Sequence, residues 1–235
     1  MTPLNPDRLL TVWEAGAHRH PLDRALLLLA LAEPDTAPER LADVPLGARN
    51  TALMRLRRAR YGDRLDAWVD CPACDERMEF ELDAAHLPDP TTPPPTISVE
   101  GLDFRPPTTR QLAALLGSED QEHAAGALLE ACAERPEALP REAAARAGLL
   151  EAVERELEEV DPWADLSLMV LCPSCGHKDV AALDIAGLLW DEVAGEARRL
   201  LDEVHVLAQA YGWSQSEVLG LSDARRAAYL DRVLS

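Results

Sequence analysis

The sequence predicts a mainly helical α+β protein that contains two related β-hairpins. Ala, Leu, Arg and Glu dominate the composition, and aromatic residues make up 4% of it, which is typical of a helix-rich chain. A Cys-Pro-x-Cys motif occurs twice, at residues 71–74 and 172–175. Each copy is followed by Leu-Asp and, after three further residues, by another leucine. Because the copies match in their flanks as well, they indicate one shared site rather than two unrelated cysteine pairs.

The order of these features divides the 235 residues into four predicted segments. They are an N-terminal helical region (1–64), a first knuckle hairpin (65–87), a proline-rich linker with a small hairpin and a helical insert (88–164), and a second knuckle hairpin with the C-terminal helices (165–235). A knuckle hairpin is a hairpin whose turn contains one of the two Cys-Pro-x-Cys motifs. We expect the N-terminal and C-terminal helices to pack around the two hairpins.

Capping residues and prolines mark where helices begin, and apolar residues at three- and four-residue steps mark how far they run. The predicted helices cover residues 6–17, 21 to before Pro34, 46–60, 109–116, 121–133, 141–158, 185–211 and 214–219, and a last helix starts at Ser222. In helix 46–60 the leucines share one side. We therefore expect the arginines from Arg55 to Arg64 to form a solvated face or to contact an acidic partner, with phosphate binding as the alternative.

Strands are predicted around both cysteine motifs and in one further hairpin. Residues 78–82 alternate apolar and polar side chains, as a half-buried strand does, and residues 67–70 precede the first motif. Residues 166–171 form a continuous apolar strand into the second motif, and residues 180–183 lead away from it. The third hairpin pairs residues 97–99 with 102–104 through a Glu-Gly turn.

The two cysteine motifs predict one structural zinc ion bound by Cys71, Cys74, Cys172 and Cys175, so that the hairpins form a split zinc ribbon. Two thiolates at a tight turn can each bind Zn²⁺ at about 2.3 Å, and two such turns complete a tetrahedral site. Closing a loop of roughly a hundred residues costs about 4 kcal/mol. A structural zinc site contributes on the order of 10–16 kcal/mol, so the metal outweighs the chain entropy.

Other interpretations of the cysteines are two disulfides or redox-active dithiols. The proline in both motifs and the lack of a surrounding βαβ pattern argue against a thioredoxin-like site. His177 could replace a cysteine as a metal ligand or orient one through a hydrogen bond. The other interpretation is that it is a plain surface residue of the turn. The fifth cysteine, Cys132, is expected to be a buried, inert thiol.

No enzyme is predicted. The sequence lacks a glycine-rich phosphate loop, a nucleophile elbow and a Ser/His/Asp pattern, and four cysteine ligands leave no open position for a catalytic zinc. Glu203 and His205 lack the histidine pair of a zinc protease and are expected to be ordinary helix residues. Tyr211 and Trp213 are expected to anchor the core.

The charge balance argues against nucleic acid as the partner. The chain has 23 basic and 42 acidic residues, a net charge of −19, which repels nucleic acid and anionic membranes. The excess of acid lies beyond Arg64, because the residues up to that point include 10 basic and 8 acidic ones. With no apolar run of about 18 residues and no signal peptide, we expect a cytoplasmic protein whose thiols stay reduced.

Three stretches resemble a known family. They are Leu41-Ala-Asp-Val-Pro45-Leu-Gly-x-Arg49 with Leu53 and Tyr61-Gly62, the paired Cys-Pro-x-Cys knuckles, and a tail from Leu200 to Leu230 that contains Tyr211-Gly-Trp213-Ser, Arg225-Arg and Tyr229-Leu. Together they resemble the baseplate hub assembly chaperone family of T-even-type contractile phage tails, which occurs also in phage-tail-like contractile injection systems. The resemblance runs from about residue 40 to the end. Its most specific part is the tail pattern, and a related ending occurs in tail assembly chaperones of other phages.

The resemblance implies a non-enzymatic role in building the baseplate, with baseplate or hub proteins as partners. The protein would act as a transient chaperone or as a component retained in the assembled particle. The family carries no catalytic residues to transfer to this chain. The rival hypothesis is a zinc-ribbon regulatory or adaptor protein that contacts nucleic acid or the transcription machinery.

Overall fold

The structure is a computed structural model that describes residues 5–89, 92–117 and 120–234. In this part of the chain it contains ten α-helices and six strands, so the predicted mainly helical α+β character is confirmed. In chain order these are α1 (Pro6–Gly16), α2 (Pro21–Ala32), α3 (Pro38–Leu41), α4 (Leu46–Tyr61), β1 (Arg64–Asp70), β2 (Arg77–Asp83), β3 (Ile97–Val99), β4 (Leu102–Phe104), α5 (Thr109–Ala114), α6 (Gln121–Cys132), α7 (Ala143–Val160), β5 (Ser167–Leu171), β6 (Lys178–Ala182), α8 (Ile185–Tyr211), α9 (Gln215–Leu219) and α10 (Asp223–Leu234). Residues 90 and 91 of the predicted linker lie outside the described residues.

The described chain divides into two compact units. One unit combines the residues up to Leu28 with those from Gly187 onward, and the other contains residues 29–186. The boundaries fall inside α2 and α8. All three hairpins and all five cysteines belong to the unit of residues 29–186.

Local capping explains where several helices begin. The side chain of Asn5 accepts a hydrogen bond from the Arg8 backbone, which satisfies one of the free N–H groups at the start of α1. Thr108 with Gln111, and Ser214 with Glu217, form capping boxes at α5 and α9. The short helix α3 is an element that the sequence analysis did not predict.

The strands form three separate two-stranded antiparallel sheets. In the first, β1 pairs with β2 and Val69 lies opposite Met78. In the third, β5 pairs with β6 and Met169 lies opposite Val180. The middle hairpin, β3 with β4, packs its Ile97 and Phe104 against the buried faces of α6 and α7, where Leu129, Leu149 and Val153 complete a small core.

Two arginines of α4 are buried, and one of them belongs to the predicted solvated face. Arg57, in the cluster between Arg55 and Arg64, is 2% exposed and donates hydrogen bonds to the backbone carbonyls of Gly62 and Arg64. Arg49, earlier in the helix, is 7% exposed and bonds Asn50 and Thr109. Both guanidinium groups therefore hold the fold together, because buried donors need acceptors inside the protein. Arg55, Arg58 and Arg60 are exposed, as predicted.

In the other unit, residues of the tail named in the resemblance make two groups of contacts. Tyr211 stacks on Trp213 at 4.7 Å between ring centroids, and both rings make T-shaped contacts with Tyr229. Tyr211 is 39% exposed, so this aromatic cluster is only partly covered and is not the buried anchor that we expected. In the second group, Arg226 is 3% exposed and donates to Glu203 at 2.8 Å. Glu203 is therefore an ion-pair partner and not merely an ordinary helix residue.

Candidate metal centre

Each Cys-Pro-x-Cys motif forms the turn at the tip of a hairpin. In the first turn the Cys71 N–H donates to the Glu76 carbonyl, and the Asp75 N–H donates back to the Cys71 carbonyl, both at 2.9 Å. The second turn repeats the pattern, with Cys172 donating to His177 at 2.9 Å and Gly176 donating to Cys172 at 3.0 Å. The sequence repeat is thus also a repeat of backbone structure.

The residue after the second cysteine has a left-handed backbone in both turns. Its φ is 57° at Asp75 and 73° at Gly176. Glycine adopts this conformation without steric cost, and aspartate tolerates it better than most residues do. This residue lies between the second cysteine and the returning strand, so its backbone turns the chain into β2 or β6.

The four sulfur atoms meet between the hairpins. All lie within 4.8 Å of one another, and the two short cross-hairpin distances are 3.7 Å (Cys71 Sγ to Cys175 Sγ) and 3.6 Å (Cys74 Sγ to Cys172 Sγ). Four sulfurs bound tetrahedrally at about 2.3 Å from a zinc ion would be separated by about 3.8 Å. The cysteines are free thiols, not disulfides. They lie close together and could hold a metal ion.

The cluster has a buried side and an open side. Cys71 and Cys172, the first cysteine of each motif, are each 1% exposed and pack with Met78. Cys74 and Cys175, the second of each motif, are exposed. A cation would therefore enter from the side of Cys74 and Cys175, while the apolar side keeps water away from the first two sulfurs.

Backbone groups and neighbouring thiols set the ionisation of the cluster. The backbone N–H groups of Cys175 and Ser174 act on the Cys172 sulfur and lower its pKa to about 7, although burial opposes them. At Cys74 the backbone N–H of Glu76 acts to lower the pKa, but the neighbouring thiols, Cys175 foremost, and burial raise it to about 12. Cys172 therefore loses its proton more readily than Cys74 does, and a divalent cation bound by the cluster would displace the protons that remain.

The other candidate residues lie outside the cluster. His177 is exposed, and it contributes its backbone carbonyl to the turn rather than a ring nitrogen to the sulfurs. Cys132 is 4% exposed in the core beside the middle hairpin, where burial raises its thiol pKa to about 11. The expectation of a buried thiol at Cys132 is confirmed, and its raised pKa keeps it protonated and unreactive.

Sequence reasoning missed the apolar packing around the sulfurs. Val69, Met78 and Val170 surround the buried pair of cysteines. Val69 and Val170 hold equivalent positions in the two repeats, two residues before the first cysteine. That shared position was the signal that could have identified the packing.

Searches for related proteins add no family to this description. No protein family model, curated protein or solved structure matches the chain. In the described ranges, no helix combines the length and the apolar character needed to cross a membrane. The class of site is therefore defined by its own geometry, as a four-cysteine cluster shared by two hairpins.

Proposed function

We propose that this protein is a non-enzymatic assembly factor or structural component of the baseplate or hub of a contractile phage tail or phage-like injection system. In this proposal a zinc ion bound by Cys71, Cys74, Cys172 and Cys175 is a structural element, and the protein acts by binding other baseplate proteins. Whether the protein leaves after assembly or stays in the particle changes its copy number there but not this mode of action.

The zinc is proposed from the donor set. Four thiols with cross-hairpin sulfur distances of 3.6 and 3.7 Å suit a closed tetrahedral zinc site. Such a site leaves no position for a substrate, which favours a structural role over a catalytic one. When bound, the ion would join segments 71–74 and 172–175, which are distant in the sequence.

The observation that carries the assembly role is the tail pattern from Leu200 to Leu230. Several of its residues contact one another, since Tyr211, Trp213 and Tyr229 share ring contacts and Arg226 joins α10 to Glu203 of α8. A pattern whose members contact one another supports a real resemblance better than scattered identities would. The net charge of −19 fits protein partners better than nucleic acid.

Co-expression tests this proposal. The full chain is produced with each baseplate and hub protein encoded by the same tail gene cluster, and complexes are purified through a tag on the partner. We expect a complex of defined stoichiometry with at least one of them, and no retention of the protein on a DNA column at low salt.

The opposite pattern would contradict the proposal. If no baseplate or hub protein forms a complex, while the protein binds DNA with an affinity that falls steeply as salt rises, the chain is a zinc-ribbon regulator instead.

A further inference from the structure

The outer face of the second knuckle hairpin carries apolar side chains exposed to solvent. Met169 and Leu171 of β5 are 85% and 61% exposed, and Val180 of β6, directly opposite Met169, is 60% exposed. Large apolar side chains grouped on one face of a small sheet commonly mark a site of protein interaction. The apolar run of residues 166–171 is thus not buried on both faces.

A groove of about 520 Å³ lies between the two hairpins, next to this face. One wall consists of four consecutive residues of β5, which are Leu168, Met169, Val170 and Leu171. The other wall consists of four consecutive residues of β2, which are Arg77, Met78, Glu79 and Phe80, and Leu82 and Pro173 complete the lining. Successive residues of a strand point to opposite faces. The groove therefore follows the edges of both strands rather than one face of either.

Those edges have backbone groups available for hydrogen bonding. In an antiparallel pair, residues alternate between directing their N–H and C=O groups toward the partner strand and away from it. The bond from Cys71 to Glu76 sets this alternation in the first hairpin, so the groups of Arg77 and Glu79 point away from β1. The bond from Cys172 to His177 likewise directs the groups of Met169 and Leu171 away from β6. In the described residues, neither β2 nor β5 pairs with a further strand.

The surroundings of the groove are acidic. Residues 64–83, which form the first hairpin and its turn, carry seven acidic side chains and two arginines. Arg77 lines the groove, but its charge is engaged by Asp70 at 3.0 Å and its guanidinium lies 4.1 Å above the Trp68 ring. Glu79 also lines the groove. A segment bound here would gain from basic side chains.

We propose that this groove binds an extended segment of a partner protein, which adds as a β-strand to the edge of β2 or β5 and alternates apolar with basic side chains. Strand addition uses main-chain hydrogen bonds for affinity and alternate side chains for specificity. The inference rests on the protein-binding role proposed above and specifies the surface that performs it. A second copy of the chain is disfavoured as the occupant, because it would bring a second acidic hairpin to an acidic site.

A synthetic peptide tests the groove directly. The probe is a fluorescein-labelled eight-residue peptide that alternates valine with lysine or arginine, titrated with the full-length protein by fluorescence anisotropy. We expect it to bind at least about tenfold more tightly than a peptide of the same composition in scrambled order, because only strict alternation places the apolar side chains on one face. A version with Glu at each basic position, and one with methylated backbone nitrogens, should bind at least as weakly as the scrambled peptide.

Matched variants locate the binding on the protein. Leu171→Asn should weaken binding at least about tenfold through loss of apolar contact without a change of charge, whereas Val180→Asn, equally exposed on the same hairpin but outside the groove, should weaken it by less than about twofold. Glu79→Gln should weaken binding of the basic peptide more than Glu81→Gln does, since Glu81 does not line the groove. These side chains are exposed, and circular dichroism of each variant verifies that the fold is retained.

Two results would overturn the inference. One is equal binding of the peptide with methylated backbone nitrogens, and the other is equal loss of binding in Leu171→Asn and Val180→Asn. The partner complex separates this inference from the proposed function. If a baseplate protein binds Leu171→Asn as well as it binds wild type, the groove is not the surface although the assembly role stands. If the peptide binds as expected but no baseplate protein does, the groove binds a strand and the assembly role is wrong.

Discussion

Among single residues, Asp161 is notable as a carboxylate buried without a standard hydrogen bond to its side chain. It is 1% exposed, and neither side-chain oxygen has a hydrogen bond of standard geometry. It lies against the first turn of α4, so close to Gly47 that a Cβ atom there would fall 1.7 Å from Asp161 Oδ1. Pro45 supplies no side-chain cap to this helix. The negative charge of Asp161 therefore faces the free N–H groups of α4, and glycine is needed at position 47 to admit it.

Burial raises the pKa of Asp161, although the backbone N–H of Gly47 acts in the opposite direction. A carboxyl whose pKa is higher in the folded than in the unfolded chain destabilises the fold as the pH rises from about 4, its ordinary pKa, through the raised value. We expect Asp161→Asn to gain melting temperature relative to wild type as the pH increases across this window. Thermal melts over a pH series measure the difference.

The exposed Glu159→Gln, on the preceding helix, is the control, and its melting temperature should follow that of wild type at each pH. If Asp161→Asn is instead less stable than wild type by a margin that grows with pH, the carboxylate is a stabilising cap for α4 and its pKa is lowered.

Arg226 makes a second prediction at this scale. Its guanidinium is buried and bonds Glu203 at 2.8 Å, the Leu221 carbonyl at 3.0 Å and Asp223 at 2.7 Å. Arg226→Met would leave Glu203, whose side chain is 14% exposed, without its closest partner. We expect a loss of about 3 kcal/mol in the free energy of unfolding, typical of breaking a buried ion pair. Urea denaturation measures it.

The adjacent exposed Arg225→Met is the matched control and should change the free energy of unfolding by less than about 0.5 kcal/mol. A double variant, Arg226→Met with Glu203→Leu, should recover part of the loss, because the unpaired carboxylate is removed. If Arg226→Met and Arg225→Met change the free energy of unfolding equally, the ion pair between Arg226 and Glu203 does not stabilise the protein.

At the scale of elements, the two knuckle turns differ mainly in the residue that takes the left-handed backbone. The conformation costs glycine nothing, but an L-residue roughly 1 kcal/mol. A Cβ added at Gly176 would meet no atom within 4 Å, so the cost of Gly176→Ala is conformational alone. We expect Gly176→Ala to destabilise the protein by about 1 kcal/mol and Asp75→Gly to be neutral or stabilising. Chemical denaturation of the protein as purified tests both.

Gly148→Ala is the control, and it should stabilise the protein where Gly176→Ala destabilises it. Gly148 lies inside α7 with open space around it, and alanine stabilises a helix interior by about 0.5–1 kcal/mol relative to glycine. If Gly176→Ala behaves like Gly148→Ala, the second turn is not constrained to a left-handed residue.

The elements also separate what local sequence determines from what it does not. The three hairpins and most helix spans follow from capping residues, alternation and the Cys-Pro-x-Cys spacing, all of which act over a few residues. The burial of Arg57 does not follow, because its acceptors are the carbonyls of Gly62 and Arg64, which the turn after α4 brings back to it. Periodicity assigns an arginine to solvent, since it contains no information about such partners.

The candidate site divides in the same way. The repeated motif predicted which four cysteines come together, because the flanking residues repeat as well. The cysteine spacing alone did not show which sulfurs are buried, since that depends on Met78 and Val170 from different hairpins, and only the matching valines of the two repeats pointed to this packing. Nor could it predict the groove between β2 and β5, which exists only once the two hairpins are assembled.

At the scale of the whole molecule, we propose that one metal ion joins two distant segments of an acidic chain. In the absence of metal, the four cysteine sulfurs lie within 4.8 Å of one another in a chain of net charge −19. A divalent cation bound by all four would add cross-links that the small hairpins need, because isolated two-stranded sheets are marginally stable. We therefore expect the hairpins to lose their structure first when the metal is removed.

Native mass spectrometry of the purified full-length chain, with elemental analysis of its metal, tests this claim most directly. We predict one zinc ion per chain, retained in Cys132→Ser and lost in Cys172→Ser, with a melting temperature that falls on chelation in wild type but not in Cys172→Ser. A chain without metal whose melting temperature is indifferent to chelator, or one in which Cys172→Ser keeps its zinc, would contradict the account.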